Sequence, residues 1–224
     1  VPMADVLLFG HPDHGRVLLN IGGMANFTHV PRRALEIGTL ACDTGPGVAV
    51  IDAVARLVDP TLGFDVDGRL ARRGRADETV LAKLLADPFF AARPPKSTGR
   101  ERFGPDYARA LHREVPGVDG VATAVELTAR TIADAIRRFA PDAPEVIGSG
   151  GGMRHPVLVE RLTTLLKAAG VPLLNFDDLF FTGGAKEAVA FALLGYLCIH
   201  GQPGNLPSAT GASGSRILGQ ITPA

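Results

Sequence analysis

Tryptophan is absent from this 224-residue chain and tyrosine occurs only twice. Such a composition is poor in the rings that line carbohydrate clefts or stack single-stranded bases. A charge excess is also missing, since 23 Lys and Arg face 23 Asp and Glu, which removes the electrostatic footprint of a nucleic-acid or anionic-membrane binder. The two cysteines, Cys42 and Cys198, sit far apart in apolar runs. They can build neither a disulfide framework nor a metal knuckle, and they read as buried thiols. No apolar run reaches the ~18 residues a membrane span needs, and no charged segment followed by an apolar one marks a signal peptide. The expectation is a soluble, cytoplasmic protein with neither membrane nor nucleic acid as partner. Of the six histidines only His11 and His14 are close together, so no metal site is expected. The lack of a Gly-x-Ser-x-Gly elbow leaves an esterase without a nucleophile. The chain starts at Val1 rather than Met, which reads as a cut with further chain upstream.

What is present is a 46% apolar sequence, ample for a sizeable core, punctuated by 27 glycines and 17 prolines that require short elements and many demanding turns. Three strand-like runs, Val17–Ile21, Met24–Val30 and Leu35–Cys42, predict an antiparallel meander. After Asp43-Thr44-Gly45-Pro46-Gly47 the period changes: Val48, Ile51, Val54, Ala55 and Val58 share a helical face that ends at Asp59-Pro60. Residues 63–104 are polar and turn-rich with one helical stretch, Glu78–Ala86. Val121, Val125, Thr128, Ile132, Ile136 and Phe139 recur at helical steps behind an expected Asp119 cap. Strand 145–148 then runs into Ser149-Gly150-Gly151-Gly152, followed by helix 157–168, extended 172–176 and helix 185–200. The chain is thus α/β, opening β-β-β-α.

Four segments could carry chemistry. Asn20-Ile21-Gly22-Gly23-Met24-Ala25-Asn26 places glycines where backbone amides could approach a phosphate, although the same pair makes an ordinary hairpin turn. Asn20 and Asn26 add polar amides to an apolar meander. Gly150-Gly151-Gly152 with Met153-Arg154-His155-Pro156 allows a flat ligand to lie on the main chain, but its spacing fits neither the dinucleotide fingerprint nor the P-loop. Asp43-Thr44-Gly45-Pro46-Gly47 reads either as a helix start capped by Asp43 or Thr44 or as a carboxylate and hydroxyl that meet a metal or a substrate hydroxyl. Glu187, in the first turn of an apolar helix, is accounted for by the helix dipole alone.

Together with Pro94-Pro95-Lys96-Ser97-Thr98-Gly99-Arg100-Glu101 and the tail Leu206–Ala212, these motifs stand in the order of the anhydro-N-acetylmuramic acid kinase family, which the whole chain resembles. The resemblance implies the C-terminal three fifths of such an enzyme, an actin-like ATPase lobe of ribonuclease H-like type. It implies a core of residues 1–60 and 118–204, an insertion at 61–117, and a tail at 205–224 packing on an N-terminal lobe. It implies ATP with Mg²⁺, hydrolysis of the 1,6-anhydro bond of 1,6-anhydro-N-acetylmuramic acid, phosphorylation of O6 during cell-wall recycling, and a possible homodimer. On this resemblance Asn20, Gly22, Gly23, Asn26, Gly150, Gly151, Gly152 and His155 meet nucleotide, while Asp43, Thr44, Gly45, Lys96, Arg100 and Glu187 meet the sugar. The family's general-base Asp and first phosphate loop match positions upstream of Val1, so no catalytic residue is expected in this chain, which alone should be inactive. Val48 and His155 stand where the family commonly has Asn. Another amino-sugar or hexokinase-like kinase, and a non-catalytic ATP-binding module, are the alternatives.

Overall fold

The computed structural model describes residues 2–34 and 37–222. Its centre is one mixed sheet of five strands, β1 (Arg16–Ile21), β2 (Met24–Val30), β3 (Leu40–Pro46), β4 (Val146–Ser149) and β5 (Leu173–Asn175), in the order β3-β2-β1-β4-β5. The first three pair antiparallel, whereas β4 joins β1 and β5 joins β4 in parallel. The meander and the parallel extension are therefore both present.

Helices cover the two faces: α1 (Pro2–Phe9), α2 (Val48–Val58), α3 (Glu78–Leu85), α4 (Pro88–Ala91), α5 (Pro105–Glu114), α6 (Val118–Phe139), α7 (Pro156–Ala168), α8 (Phe176–Leu179), α9 (Lys186–Ile199) and α10 (Pro207–Thr210). Alternation along β1 divides the core. Val17, Leu19 and Ile21 join Phe27, Ile51, Val54, Ile132 and Leu158 on one side. Leu18 joins Val30, Ile147, Phe176 and residues of α1 and α9 on the other. A strand buried on both faces is apolar throughout, which is why β1 reads so clearly in the sequence.

Several expectations are corrected. The third strand lies at Leu40–Pro46, not Leu35–Cys42, whose Leu35 falls outside the described residues. Asp43, Thr44, Gly45 and Pro46 are consequently strand residues rather than a helix start. Asp43 pairs with Asn26 and Gly45 with Ala25, and the register shifts between those two partners. Gly45 at φ 138 supplies the backbone this bulge requires, and Pro46 needs no donor on an edge strand. The cap of α2 is Gly47, without a side-chain bond. Gly117 rather than Asp119 caps α6; Asp119 sits in its first turn and accepts from the Arg75 amide at 2.8 Å. Cys42 is buried, but Cys198 is only half-buried.

Five helices were not anticipated, α1, α4, α5, α8 and α10, of which α4, α8 and α10 have four residues each. In α1, Met3, Val6 and Phe9 are buried, in a run short enough to pass for a loop between Pro2 and Gly10. In α5 only Ala108 and Leu111 are buried, so little periodicity shows. Its end signals were nonetheless present: Pro105 at the first position, Asp106 in the first turn, and His112 and Arg113 in the last.

Candidate functional site

The site grows from the register of the two central parallel strands. Asn20 at the end of β1 lies beside Ser149 at the end of β4, so the loops that leave them emerge together. Ligands of open α/β sheets bind at such carboxyl ends. Gly150 turns at φ 90, and a Cβ there would stand 2.7 Å from both Asn20 Oδ1 and the Ile21 carbonyl. At Gly152 a Cβ would meet Ile21 Cγ2 at 2.2 Å. These two glycines are needed to seat one loop on the other. Gly151 differs, because nothing lies within 4 Å of the corresponding position.

The Gly22-Gly23 turn is held from the other side by α2. Gly47 N and Ala49 N donate to the Gly23 carbonyl at 2.9 and 3.1 Å, and Val48 N donates to the Gly22 carbonyl at 2.9 Å. The first amides of α2, free in an isolated helix, are thereby spent on the turn. Gly47 has no room for a side chain, since a Cβ would lie 2.1 Å from the Gly22 carbonyl oxygen. The Arg100 guanidinium reaches to 3.5 Å of the Cβ position of Gly23. It is exposed and makes no ion pair among the described residues, so its charge is available above the turn.

Loop 93–100, expected as a motif and otherwise as a solvated connector, is bound to β3. Asp43 N donates to the Lys96 carbonyl at 3.0 Å, and Asp43 Oδ2 accepts from Thr98 N at 2.7 Å. Burial pushes the Asp43 carboxyl above its ordinary range, opposed by the Thr98 amide and the Lys96 charge. Lys96 Nζ is itself engaged, donating to the Phe89 and Phe90 carbonyls at 2.9 and 3.3 Å and lying 4.5 Å from the Phe89 ring centre. Thr44 is buried and donates its hydroxyl to the Ala25 carbonyl at 3.2 Å. Gly45 packs on the Phe90 ring, 2.7 Å from the place of a Cβ.

Two cavities adjoin these loops. One, of about 330 Å³, is lined by Pro2, Asn26, Thr28, Asp43, Pro95, Lys96, Ser97 and Thr210 among others. Its Thr28 is anchored from behind, donating at 2.7 Å to Asp5 Oδ2, while Asp5 Oδ1 faces Lys186 Nζ at 3.1 Å. The other, of about 160 Å³, is lined by Ser149, Gly150, Gly151, Met153, Arg154, Asn175, Asp177, Gly183 and Gly184. Sequence reasoning placed Arg154 in the glycine-loop segment without giving it a role, and it did not single out Thr28, Asn175, Asp177, Gly183 or Gly184. The Gly183-Gly184 pair was a visible signal, whereas the other side chains become neighbours only through folding.

Of the expected site residues, Asn26, Asp43 and Lys96 line the larger cavity and Gly150 and Gly151 the smaller, while Asn20, Gly22, Gly23, Thr44, Gly45, Arg100, Gly152, His155 and Glu187 line neither. His155 is 7% exposed: its Nδ1 accepts from Leu158 N at 3.2 Å as the cap of α7, and its Nε2 lies 3.3 Å from Asp65 Oδ2. With both nitrogens engaged it offers a ligand nothing. Glu187 is exposed in the first turn of α9 and lines neither cavity.

A family model described as "Anhydro-N-acetylmuramic acid kinase" matches residues 1–224. The chain belongs to the anhydro-N-acetylmuramic acid kinase family. Relatives carrying that name include proteins of Streptomyces avermitilis, 44% identical over 100% of this chain and 56% of the relative, and of Xanthomonas axonopodis pv. citri, 42% identical over 100% and 59%. A third, from a Cyanothece strain, is 39% identical over 99% and 60%. This family member therefore spans 56–60% of the length of those relatives. Among solved structures, the activator of the 2-hydroxyisocaproyl-CoA dehydratase from Clostridium difficile, with bound ADPNP, superposes with a TM-score of 0.52 at 14% identity, covering 84% of this chain and 61% of its own. That likeness speaks for the fold alone, an α/β sheet with flanking helices of the actin-like ATPase kind.

Proposed function

We propose that this chain is the larger part of a cytoplasmic, ATP- and Mg²⁺-dependent kinase that opens the 1,6-anhydro bond of 1,6-anhydro-N-acetylmuramic acid and phosphorylates O6, in cell-wall recycling. The observation that carries the reading is the close seating of the Gly150–Gly152 loop on Asn20 and Ile21, which lead into the Gly22-Gly23 turn, within a chain matched to the family along its whole length. The residues fit a nucleotide: the main chain at Gly151 is open, so a flat base can approach it without meeting a Cβ. ATP supplies the phosphoryl group. The Gly22 amide donates to the Met24 carbonyl at 3.1 Å, so Gly23 presents its backbone N–H to the phosphates and Arg100 balances their charge, positioning and charge stabilisation being most of what phosphoryl transfer asks of a protein.

The sugar lies in the 330 Å³ cavity, where Asn26, Asp43, Ser97 and Thr210 offer hydroxyl-directed donors and acceptors. Lys96 shapes that wall through its carbonyl bond to Asp43, and Glu187 would reach the sugar only from outside the cavity. Among the described residues no three His, Cys, Asp or Glu side chains converge; magnesium in kinases is held by one or two carboxylates with the substrate phosphates and water, which asks for no such cluster. No residue here is assigned as the base that activates water; the resemblance puts that Asp upstream of Val1. The exposed apolar side chains of α9, Phe191, Tyr196 and Ile199, are surface for the remaining lobe of a relative-length protein.

The test is coupled ADP release with the anhydro-sugar, comparing this chain with a protein of the relatives' length. Turnover by the longer protein alone is expected. Robust turnover by this chain would overturn the placement of the base, and turnover with N-acetylmuramic acid but not its anhydro form would point to another amino-sugar kinase.

A further inference from the structure

The smaller cavity has a chemistry of its own. At about 160 Å³ it is roughly half the ~300 Å³ at which pockets for whole small molecules begin, so it accepts one fragment of a ligand. One wall is the bare main chain of Gly150 and Gly151, and four polar side chains, Ser149, Arg154, Asn175 and Asp177, line it as well; the Ser149 hydroxyl is spent on the Leu19 carbonyl at 3.0 Å. Asp177 Oδ1 accepts from Gly183 N at 2.7 Å, which fixes the carboxylate and leaves Oδ2 without a protein donor. Asn175 Oδ1 faces Asp177 N at 3.4 Å, which leaves its amide NH₂ without an acceptor. An acceptor and a donor are thus presented two residues apart. The Asp177 carboxylate repels a phosphate on its side of the cavity, whereas two neighbouring hydroxyls match the Asp177 and Asn175 pair, one donating to the carboxylate and one accepting from the amide.

We propose, resting on the nucleotide reading above, that Asp177 and Asn175 bind the 2′- and 3′-hydroxyls of the ATP ribose and make this site selective for ribonucleosides. The base then lies along Gly151. The exposed guanidinium of Arg154, which makes no ion pair among the described residues, offers it a stacking plane. The triphosphate runs away from Asp177 toward Gly22-Gly23 and Arg100, where the charge is favourable. The same carboxylate-to-ribose logic operates in dinucleotide folds, here reached from a different scaffold.

The test is titration of the full chain, observed by ¹H–¹⁵N NMR, with adenosine, 2′-deoxyadenosine and N-acetylmuramic acid. Adenosine should shift the amides of Gly150, Gly151, Gly183 and Gly184, and 2′-deoxyadenosine should bind ~10-fold more weakly, as expected for loss of a hydrogen bond to a charged group. Asp177→Asn, isosteric and able to keep the Gly183 bond, should weaken adenosine to the deoxy level while leaving 2′-deoxyadenosine and the melting temperature unchanged. Equal binding of the two nucleosides, in wild type and variant alike, overturns the ribose assignment and leaves the nucleotide site standing. Failure of adenosine to shift those amides, or their shift by the amino sugar instead, overturns the nucleotide reading and this one with it. The comparison of ligands on the unaltered chain requires no variant to fold.

Discussion

Replacing Gly47 by alanine tests the joint that holds the Gly22-Gly23 turn. The new methyl would lie 2.1 Å from the Gly22 carbonyl oxygen, 2.9 Å from the Met24 carbonyl carbon and 3.0 Å from the Gly23 oxygen. All three are backbone atoms, so no flexible side chain can yield. Overpacking of this kind costs about 1–3 kcal/mol, and the displacement also strains three amide bonds to the turn, each worth ~0.5–1.5 kcal/mol. A loss near 3 kcal/mol is expected, which for a domain of this size lowers Tm by roughly 6–12 °C. Calorimetric melting gives the value, with Gly63→Ala as control because nothing lies within 4 Å of that position. The control should stay within ~0.5 kcal/mol of the parent. ADP affinity should fall for Gly47→Ala and hold for Gly63→Ala. Equal melting of the two variants would refute the idea that the α2 terminus is locked against the turn.

Gly151→Val should behave in the opposite way, leaving Tm nearly unchanged because the position is open, while ADP affinity measured by calorimetry falls several-fold as the branched side chain fills the base's approach. Arg100→Ala should weaken ADP about tenfold, the scale of a charged hydrogen bond, without altering adenosine; equal losses for both ligands would remove the phosphate role. Asp65→Asn should make acid unfolding less steep. Burial pushes the Asp65 carboxyl up, but the His155 ring and the Leu70 and Ala71 amides outweigh it and hold it below its ordinary range. Its stabilising contribution is then complete above the unfolded pKa of ~3.9 and is lost as pH falls through the lower folded value. Asp43 and Asp52, raised by burial, act in the opposite sense, so the quantity to compare is the parent-minus-variant Tm from pH 6 to pH 3. A difference that does not shrink toward pH 3 would contradict the assignment. Glu126→Gln should loosen α6 from α7, where Glu126 pairs with Arg161 at 2.6 Å and with Arg130. A cost of about 1–3 kcal/mol in denaturant unfolding is expected for this partly exposed pair, and none would show that packing alone joins the helices.

Periodicity located β1, β2, β4, α2, α6 and α7 to within a few residues, because each buries a continuous apolar face and so must carry the period of its backbone. It failed where burial is local. The bulge that carries β3 through Asp43-Thr44-Gly45-Pro46 uses residues typical of turns, and what keeps them extended is pairing with Met24–Asn26, a partner found only in space. The brevity of α1 and the two buried residues of α5 gave too weak a pattern to read. Glycine was legible as punctuation, but three of its roles separate only in three dimensions. Gly47 is excluded from bearing a side chain by a carbonyl, Gly150 by Asn20 and Ile21, and Gly151 by nothing in the protein.

The amino-acid sequence by itself determined the α/β class, the order of the motifs and the family they resemble, since these depend on local periodicity and on residues adjacent in the chain. Tertiary structure alone decided which of those residues keep a polar group free at a cavity. His155 and Lys96, plausible contacts by position, spend their polar atoms on Asp65 and on the Phe89 and Phe90 carbonyls. Asn175 and Asp177, ordinary loop residues by pattern, line the cavity opened by Gly150 and Gly151. A polar group satisfied within the protein is withdrawn from a ligand, and that satisfaction depends on neighbours brought together across dozens of residues of chain.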